Sequence, residues 1–187
     1  MTDTTIINTV IQDHFQRPFS QEEWDAFQER YISKLRHNRK HSPADFKSVS
    51  GATPLVNALL KHPGYVVGVG TGGWKAPAIV KLQHVGIHID EKVVVGADGK
   101  SRRESILDEA ITRAQQMVSR PFEKIVYIGD AEWDVRTTRN MELGFIGIRH
   151  RGDLEVLKDL GAQHVIAEYT DMDTFLELVE EAQPPEG

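Results

Sequence analysis

The sequence has 187 residues, and its 28 Asp and Glu against 22 Lys and Arg give a net charge of −6. That charge is opposite in sign to the basic surface that nucleic-acid binding requires, so we expect no nucleic-acid partner. The lack of cysteine excludes disulfides, thiolate metal sites and a cysteine nucleophile. No apolar run is long enough to span a membrane and the N-terminal pattern is not that of a signal peptide, which favours a soluble cytoplasmic protein without a membrane partner.

The first forty residues predict two helices. Apolar residues recur at helical spacing over 6–15 and again over 24–35. Ser20 followed by Glu23 is a capping-box pattern, which is typical of a helix start. We interpret residues 1–47 as a small helical subdomain.

From residue 53 onward, helical and strand patterns alternate to the C-terminus. The predicted strands are 65–70, 92–98, 124–130, 145–148 and 164–168, and the predicted helices are 55–62, 75–85, 103–118, 134–143, 153–160 and 171–182. The strands are short and β-branched without clean alternation, as expected when helices cover both faces. The pattern predicts a doubly wound, parallel α/β sheet over residues 48–187, ending in a disordered tail, QPPEG.

Three of these strands end in polar loops. VGVGTGG contains Thr71 and Gly72, GADGKSRR contains Lys100, and IGDAEWD contains Asp130 and Asp134. Because the carboxyl ends of parallel strands meet at one edge of a sheet, these groups are expected to converge there. A hydroxyl and backbone amides can hold phosphate oxygens, a cation can neutralise their charge, and a pair of carboxylates can hold Mg²⁺. The sequence therefore predicts a site for a phosphoryl group and magnesium.

In this order, the three loops resemble the second, third and fourth motifs of the haloacid dehalogenase superfamily of phosphohydrolases. The resemblance covers nearly the whole chain and implies a Rossmann-like core with a helical cap at 1–47. It implies that Thr71 and Gly72 bind the phosphoryl group. It also implies that Asp130 and Asp134 bind Mg²⁺.

The resemblance further implies a cation in the third motif that stabilises the phosphoryl charge. Lys100 follows Gly99 as in the common form of that motif, and we rank it first. Arg102 and Arg103 fit a subgroup of the family in which an arginine before a glutamate takes this role. The sequence leaves the choice among these three side chains open.

The first motif of the family, DxDxT/V, supplies the nucleophile and the general acid–base, and this sequence lacks it. Asp3 has no strand before it, and DMD at 171–173 has the pattern of a helix cap. The resemblance puts the missing strand between those predicted at 65–70 and 124–130. We therefore interpret the chain as an N-terminally truncated form that is inactive by itself, with an open sheet centre that favours self-association.

The sequence thus predicts a Mg²⁺-dependent phosphomonoesterase that acts on a small phosphorylated metabolite through an aspartyl-phosphate. One alternative is a pseudophosphatase without a nucleophile, which binds a phosphorylated ligand or a protein partner. Another is a dehalogenase or phosphomutase of the same superfamily; dehalogenases do not need Mg²⁺, so the Asp pair argues against that branch. Trp74 and Trp133 flank the predicted site, and we expect them to pack rather than to bind.

Overall fold

The computed structural model of the chain describes residues 2–169 and 171–187. In chain order, the helices and strands are α1 (Asp3–Phe15), α2 (Gln21–His41), α3 (Ala52–Leu59), β1 (Val69–Gly70), α4 (Lys75–His84), β2 (Val94–Val95), α5 (Arg103–Gln115), β3 (Val126–Gly129), α6 (Glu132–Asn140), β4 (Gly144–Ile148), α7 (Glu155–Lys158), β5 (His164–Ile166) and α8 (Met172–Glu181). Their alternation confirms an α/β fold. None of the helices in the described residues has both the length and the hydropathy that crossing a membrane requires.

The sequence predicts one continuous sheet, but the described strands form two separate sheets; both of them are parallel, as predicted. One sheet pairs β1 with β2, and the other has β4 between β3 and β5. The strands are shorter than the sequence pattern predicts. Of the predicted run 65–70, β1 keeps Val69–Gly70, because a ladder extends only as far as a neighbouring strand offers partners.

The chain divides into two compact units that each combine separate segments. Unit 1 comprises the described residues up to Lys47 together with Val67–Gln116, and it contains the β1–β2 sheet. Unit 2 comprises Ser48–Val66 and Met117–Gly187, and it contains the β3–β4–β5 sheet. The predicted division into a cap at 1–47 and a core at 48–187 stays a prediction.

The core of unit 1 is built around Trp74, which is 3% exposed. The aromatic stripe predicted on the second helix meets this indole edge-on, with ring centroids 5.9 Å away for Trp24 and Phe27 and 5.7 Å for Tyr31. Each such pair contributes about 0.5–1.5 kcal/mol beyond the apolar area that it buries. Trp74 therefore has the packing role that the sequence predicts, directly beside the loop after β1.

The core of unit 2 is built around β4, whose residues Gly144–Ile148 are all buried. Phe145 packs with Val135, Leu157 and Ala162 in the cluster that covers this strand. A middle strand with both faces covered explains why its sequence, GFIGI, shows no alternation of apolar and polar residues. The ends of β3, β4 and β5 are thereby fixed by a common core.

The structure corrects the prediction of a disordered tail. Pro185 is buried, and the backbone N–H of Glu186 donates to the Gly161 carbonyl at 3.0 Å. The guanidinium of Arg139 donates to the carbonyls of Pro185, at 3.2 Å, of Leu160 and of Glu186. One cation with five N–H donors thus binds several carbonyls at once. Composition could not indicate this order, because Arg139 lies 46 residues before Pro185.

The sequence signal at the start of α2 is confirmed, whereas α6 ends without the usual glycine. The capping box is confirmed: the Ser20 hydroxyl accepts from the Glu23 N–H at 3.3 Å, and the Glu23 carboxylate accepts from the Ser20 N–H at 2.8 Å. A glycine commonly takes the left-handed conformation at a helix end, but after α6 it is Glu142 that does so, with φ 54°. Gly144 instead begins β4, where a Cβ atom would lie 3.1 Å from the Ala182 carbonyl oxygen.

Candidate functional site

Thr71 lies in the loop that follows β1, and it is partly exposed. Its backbone N–H donates to the Val95 carbonyl at 3.0 Å, which continues the pairing with β2 by one residue. Its hydroxyl oxygen accepts from the Gly73 N–H at 3.1 Å. Since a hydroxyl is also a donor, Thr71 can offer its O–H to a ligand oxygen while it holds the glycine turn in place.

The N-terminus of α1 binds the loops after β1 and β2, and sequence reasoning missed this. The Asp3 N–H donates to the Gly72 carbonyl at 2.7 Å. The Thr4 hydroxyl donates to the Ala97 carbonyl at 2.8 Å and accepts from the indole N–H of Trp74 at 3.1 Å. Two consecutive residues of one helix therefore fix both loops that carry the predicted phosphate-binding groups.

The carboxylate of Asp3 and the Thr71 hydroxyl both face Gly73. A Cβ atom built on Gly73 would be 3.3 Å from the Asp3 Oδ2 and 3.5 Å from the Thr71 Oγ1, so both atoms face the same glycine. Burial raises the pKa of Asp3, while the charge of Lys81 and the backbone N–H of Trp74 act in the opposite direction. A phosphate dianion bound at Thr71 would meet this carboxylate, so Asp3 affects the charge balance of the loop.

Lys100 is positioned by a turn at the end of β2. Its N–H donates to the Ala97 carbonyl at 3.0 Å, and Gly99 takes a φ of +69° that a side chain would strain. Its ammonium pairs with Glu109 on α5 at 2.7 Å. Hydrogen bonding to Lys100 is the largest cause of the lowered pKa of Glu109. A phosphate at this ammonium would share it with Glu109.

The two alternative cations of the third motif are placed differently. Arg102 is 74% exposed, and its guanidinium lies 3.7 Å from the Glu104 carboxylate. Arg103 is partly buried and begins α5. Lys100, at 24% exposed, is more buried than Arg102, and its ammonium pairs with Glu109. The choice of Lys100 as the third-motif cation stays a prediction.

Asp134 is buried, with only 2% of the residue exposed. Its Oδ2 accepts from the backbone N–H groups of Asp130 and Ala131, each at 3.1 Å. Its Oδ1 accepts from the Tyr127 hydroxyl at 3.2 Å. A Cβ atom on Gly129 would lie 2.6 Å from the Asp134 Cβ, so only glycine lets this carboxylate fold back against β3. Asp134 thereby clamps the loop that presents Asp130.

Asp130 is exposed at the carboxyl end of β3. Its charge raises the pKa of the Tyr169 phenol, although burial of that phenol is the larger cause. Among residues 2–169 and 171–187, no group of three or more His, Asp or Glu side chains is gathered to hold a metal ion. Mg²⁺ nevertheless fits one exposed carboxylate on a fixed loop, because it commonly keeps several waters and takes phosphate oxygens as its remaining ligands.

Comparison with known families is consistent with this arrangement of loops. The chain belongs to the haloacid dehalogenase-like hydrolase family, whose sequence profile matches residues 3–148. The matched range includes Thr71, Lys100, Asp130 and Asp134. No protein of curated function matches the chain. The resemblance seen in the three motifs is therefore confirmed at the level of the family.

Proposed function

We propose that this chain carries the phosphate-binding and Mg²⁺-binding parts of a hydrolase that acts on small phosphomonoesters. Membership of the haloacid dehalogenase-like hydrolase family supports hydrolysis in general. The loop after β3 gives the main support for Mg²⁺ and a phosphomonoester. Asp134 accepts two backbone N–H groups, and Asp130, four residues before it, is exposed. A rigid loop that ends in one accessible carboxylate is suited to a hard cation.

The proposed roles are assigned within each unit separately. In unit 1, the Thr71 hydroxyl donates to a phosphoryl oxygen, and Lys100 neutralises phosphoryl charge while Glu109 holds its ammonium in place. In unit 2, Asp130 is the direct metal ligand and Asp134 positions it. The bound Mg²⁺ would supply Lewis-acid stabilisation of the charge on the phosphoryl oxygens.

The sequence has no DxDxT/V motif to supply the carboxylate that attacks phosphorus. We therefore expect these 187 residues by themselves to bind Mg²⁺ weakly and to turn over little or no substrate. The same proposal includes a cap at 1–47 that selects the substrate. It also includes self-association through unpaired strand edges.

A second candidate function is a pseudophosphatase that binds a phosphorylated ligand without turnover. The lack of the first motif favours it. The two functions differ in whether the protein made by its native cell contains the nucleophile. Intact mass and N-terminal sequencing of that protein decide between them.

A mass above 21.1 kDa, with a DxDxT/V segment before MTDTT, would support the phosphatase. The protein of that mass is then expected to hydrolyse a generic aryl phosphate in the presence of Mg²⁺. A mass equal to that of this chain, with no turnover, would support the binding function. Clear turnover by the 187-residue chain would contradict the assigned roles, because no residue here is assigned as the nucleophile.

The metal assignment has its own test. Titration with Mn²⁺, a paramagnetic substitute for Mg²⁺, should broaden the amide NMR signals of Asp130 and Ala131. Asp130→Asn should abolish this broadening, because it removes the exposed carboxylate at the end of β3, whereas the exposed carboxylate of Glu132 pairs with Arg136 at 3.5 Å. Glu123→Gln is the matched control, since it removes one carboxylate that is 91% exposed in the same unit. Equal broadening in both variants would refute the assignment of Asp130 as the metal ligand.

A further inference from the structure

The loop that follows β4 concentrates positive charge at the carboxyl end of the buried middle strand of unit 2. It contains Arg149, His150 and Arg151 in succession, before Gly152. The Arg149 N–H donates to the Ile166 carbonyl at 2.8 Å, which extends the pairing of β4 with β5 by one residue. The backbone of Arg149 is therefore fixed, although the residue lies just outside the strand.

The side chain of Arg149 is poorly satisfied. Its Nε is buried and has no hydrogen-bond partner within the described part of the chain. The loop passes beside the guanidinium: Gly152 takes a φ of +89°, and a Cβ atom there would lie 3.0 Å from the Arg149 Nη2. A buried N–H without a partner costs roughly 1–3 kcal/mol, and more in a charged group. Such a cost is retained most readily where a ligand offsets it.

Nearby carboxylates do not neutralise this arginine. The ion pairs found among the described residues do not include Arg149. Asp153, four residues on, uses its Oδ1 to accept the Glu155 N–H at 2.9 Å. Asp130 and Glu168, in the loops after β3 and β5, are exposed. An arginine is always charged and presents a planar fork of donors, so an external oxyanion is the chemically matching partner.

Arg149 also lies near the proposed metal ligand. Gly129 pairs with Gly147, so Asp130 stands opposite Ile148 and Arg149 follows one residue later, at the ends of adjacent strands. Neighbouring strands are about 5 Å apart. The carboxyl edge of a parallel sheet is where α/β proteins bind ligands. The loops that carry Asp130 and Arg149 therefore lie side by side at this edge of the sheet.

We propose that Arg149 binds a second oxyanion, a carboxylate or a phosphate, on the substrate whose phosphoryl group is served by the metal at Asp130. This inference rests on the proposed function, and it narrows the substrate class to phosphomonoesters with two anionic groups. The guanidinium fork contacts two oxygens of the second group. Arg151, which is exposed, adds positive potential around it.

Binding of three matched probes by the full chain in saturating Mg²⁺ tests the proposal. Glycerol 1-phosphate has one anionic group, 3-phosphoglycerate adds a carboxylate, and glycerol 1,3-bisphosphate adds a phosphate. Calorimetry should show at least one of the two-anion probes binding about tenfold or more tightly than glycerol 1-phosphate, as expected for a charged hydrogen-bond pair. The stronger of the two identifies the second group as carboxylate or phosphate.

Arg149→Gln should abolish this preference, and Arg149→Lys should restore part of it, because a lysine keeps the charge without the fork. Arg136→Gln is the matched control: Arg136 is 64% exposed in the same unit and pairs with Glu132. It should leave the preference unchanged. If Arg149→Gln does not fold, two measurements remain. One is probe binding by Arg149→Lys, and the other is the shift of the Arg149 Nε–H NMR signal when the wild type is titrated.

The outcomes separate this inference from the proposed function. Equal affinity of all three probes overturns the role of Arg149, even if Mn²⁺ still binds at Asp130. An unchanged preference in Arg149→Gln, together with an Nε–H signal that does not shift, overturns it as well. An Arg149-dependent preference that persists in Asp130→Asn and without Mg²⁺ supports the oxyanion site. In that case the metal-dependent hydrolase proposal fails and the oxyanion site remains.

Discussion

The loops after β1 and β2 differ from those after β3 and β4 in how their polar groups are used. In unit 1, Asp3 and Thr4 bind both loops, and Lys100 pairs with Glu109. In unit 2, Asp134 is fully engaged, but Asp130 is exposed and Arg149 has an unsatisfied Nε. A ligand at the first pair of loops must share donors that the chain already uses. A ligand at the second pair would satisfy groups that the chain leaves unsatisfied.

The largest expected effect in this comparison is that of Asp134→Ala. Removing the carboxylate leaves the N–H groups of Asp130 and Ala131 and the Tyr127 hydroxyl without their acceptor. We expect the free energy of unfolding to fall by about 3 kcal/mol in urea denaturation. Asp173→Ala, which removes an exposed aspartate from the first turn of α8, is the control and should cost less than about 1 kcal/mol. Equal costs would mean that the clamp does not stabilise the loop.

Gly129→Ala tests the same clamp from the strand side. The added Cβ would lie 2.6 Å from the Asp134 Cβ and 2.7 Å from its carboxylate, so the carboxylate must move. We expect a loss of about 2 kcal/mol in stability, together with weaker Mn²⁺ broadening at Asp130. Gly68→Ala is the control, because its nearest contact would be an ordinary 3.6 Å. Unchanged metal binding in Gly129→Ala would show that Asp130 does not depend on the clamp.

Thr4→Val tests how firmly α1 holds the loops of unit 1. Valine keeps the shape of threonine but loses the bond to the Ala97 carbonyl and the acceptor for the Trp74 indole. We expect stability to fall by about 1.5 kcal/mol. Thr9→Val makes the same change at an exposed helical position, where the hydroxyl bonds only to the preceding turn. A similar loss in both variants would point to helix propensity rather than to the loop contacts.

The smallest expected effect is on the titration of Glu109, measured by NMR of its side-chain carboxyl. Because Lys100 is the largest cause of its lowered pKa, Lys100→Gln should move that pKa back towards its ordinary value. A carboxyl with a lowered folded pKa adds stability above its unfolded pKa, and this is lost as the pH falls through the folded value. The variant should lose less stability on acidification. Arg102→Gln, the control, should leave the Glu109 titration unchanged.

Several features follow from local sequence patterns and were predicted from them. The capping box at Ser20 depends on two residues three positions apart, and the structure has both of its bonds. Asp171 was expected to cap the last helix, and its carboxylate accepts from the Thr174 N–H at 3.0 Å. The parallel sheets follow from short β-branched runs separated by helices, since parallel strands need such crossovers.

The sequence only partly predicts that Asp130 is exposed while Asp134 is buried and hydrogen-bonded. Both stand at the end of a strand, and composition gives them the same chemistry. An aspartate at the third helical position reaches back to the N-cap amide, which is a local signal for a clamp that sequence reasoning passed over. That Asp134 is also buried against Gly129 and Tyr127 depends on how α6 packs on β3.

By itself, the sequence determined the α/β fold, the family, and the loops after β1, β2 and β3 as candidate site elements, because periodicity and motifs are local. The tertiary structure decided which polar groups in those loops are already paired. Thr4 and its acceptor Ala97 are 93 residues apart, and Arg139 fixes a tail 46 residues away. Partners at such distances depend on packing, since a side chain's neighbours across the chain are set by the whole core rather than by its own segment.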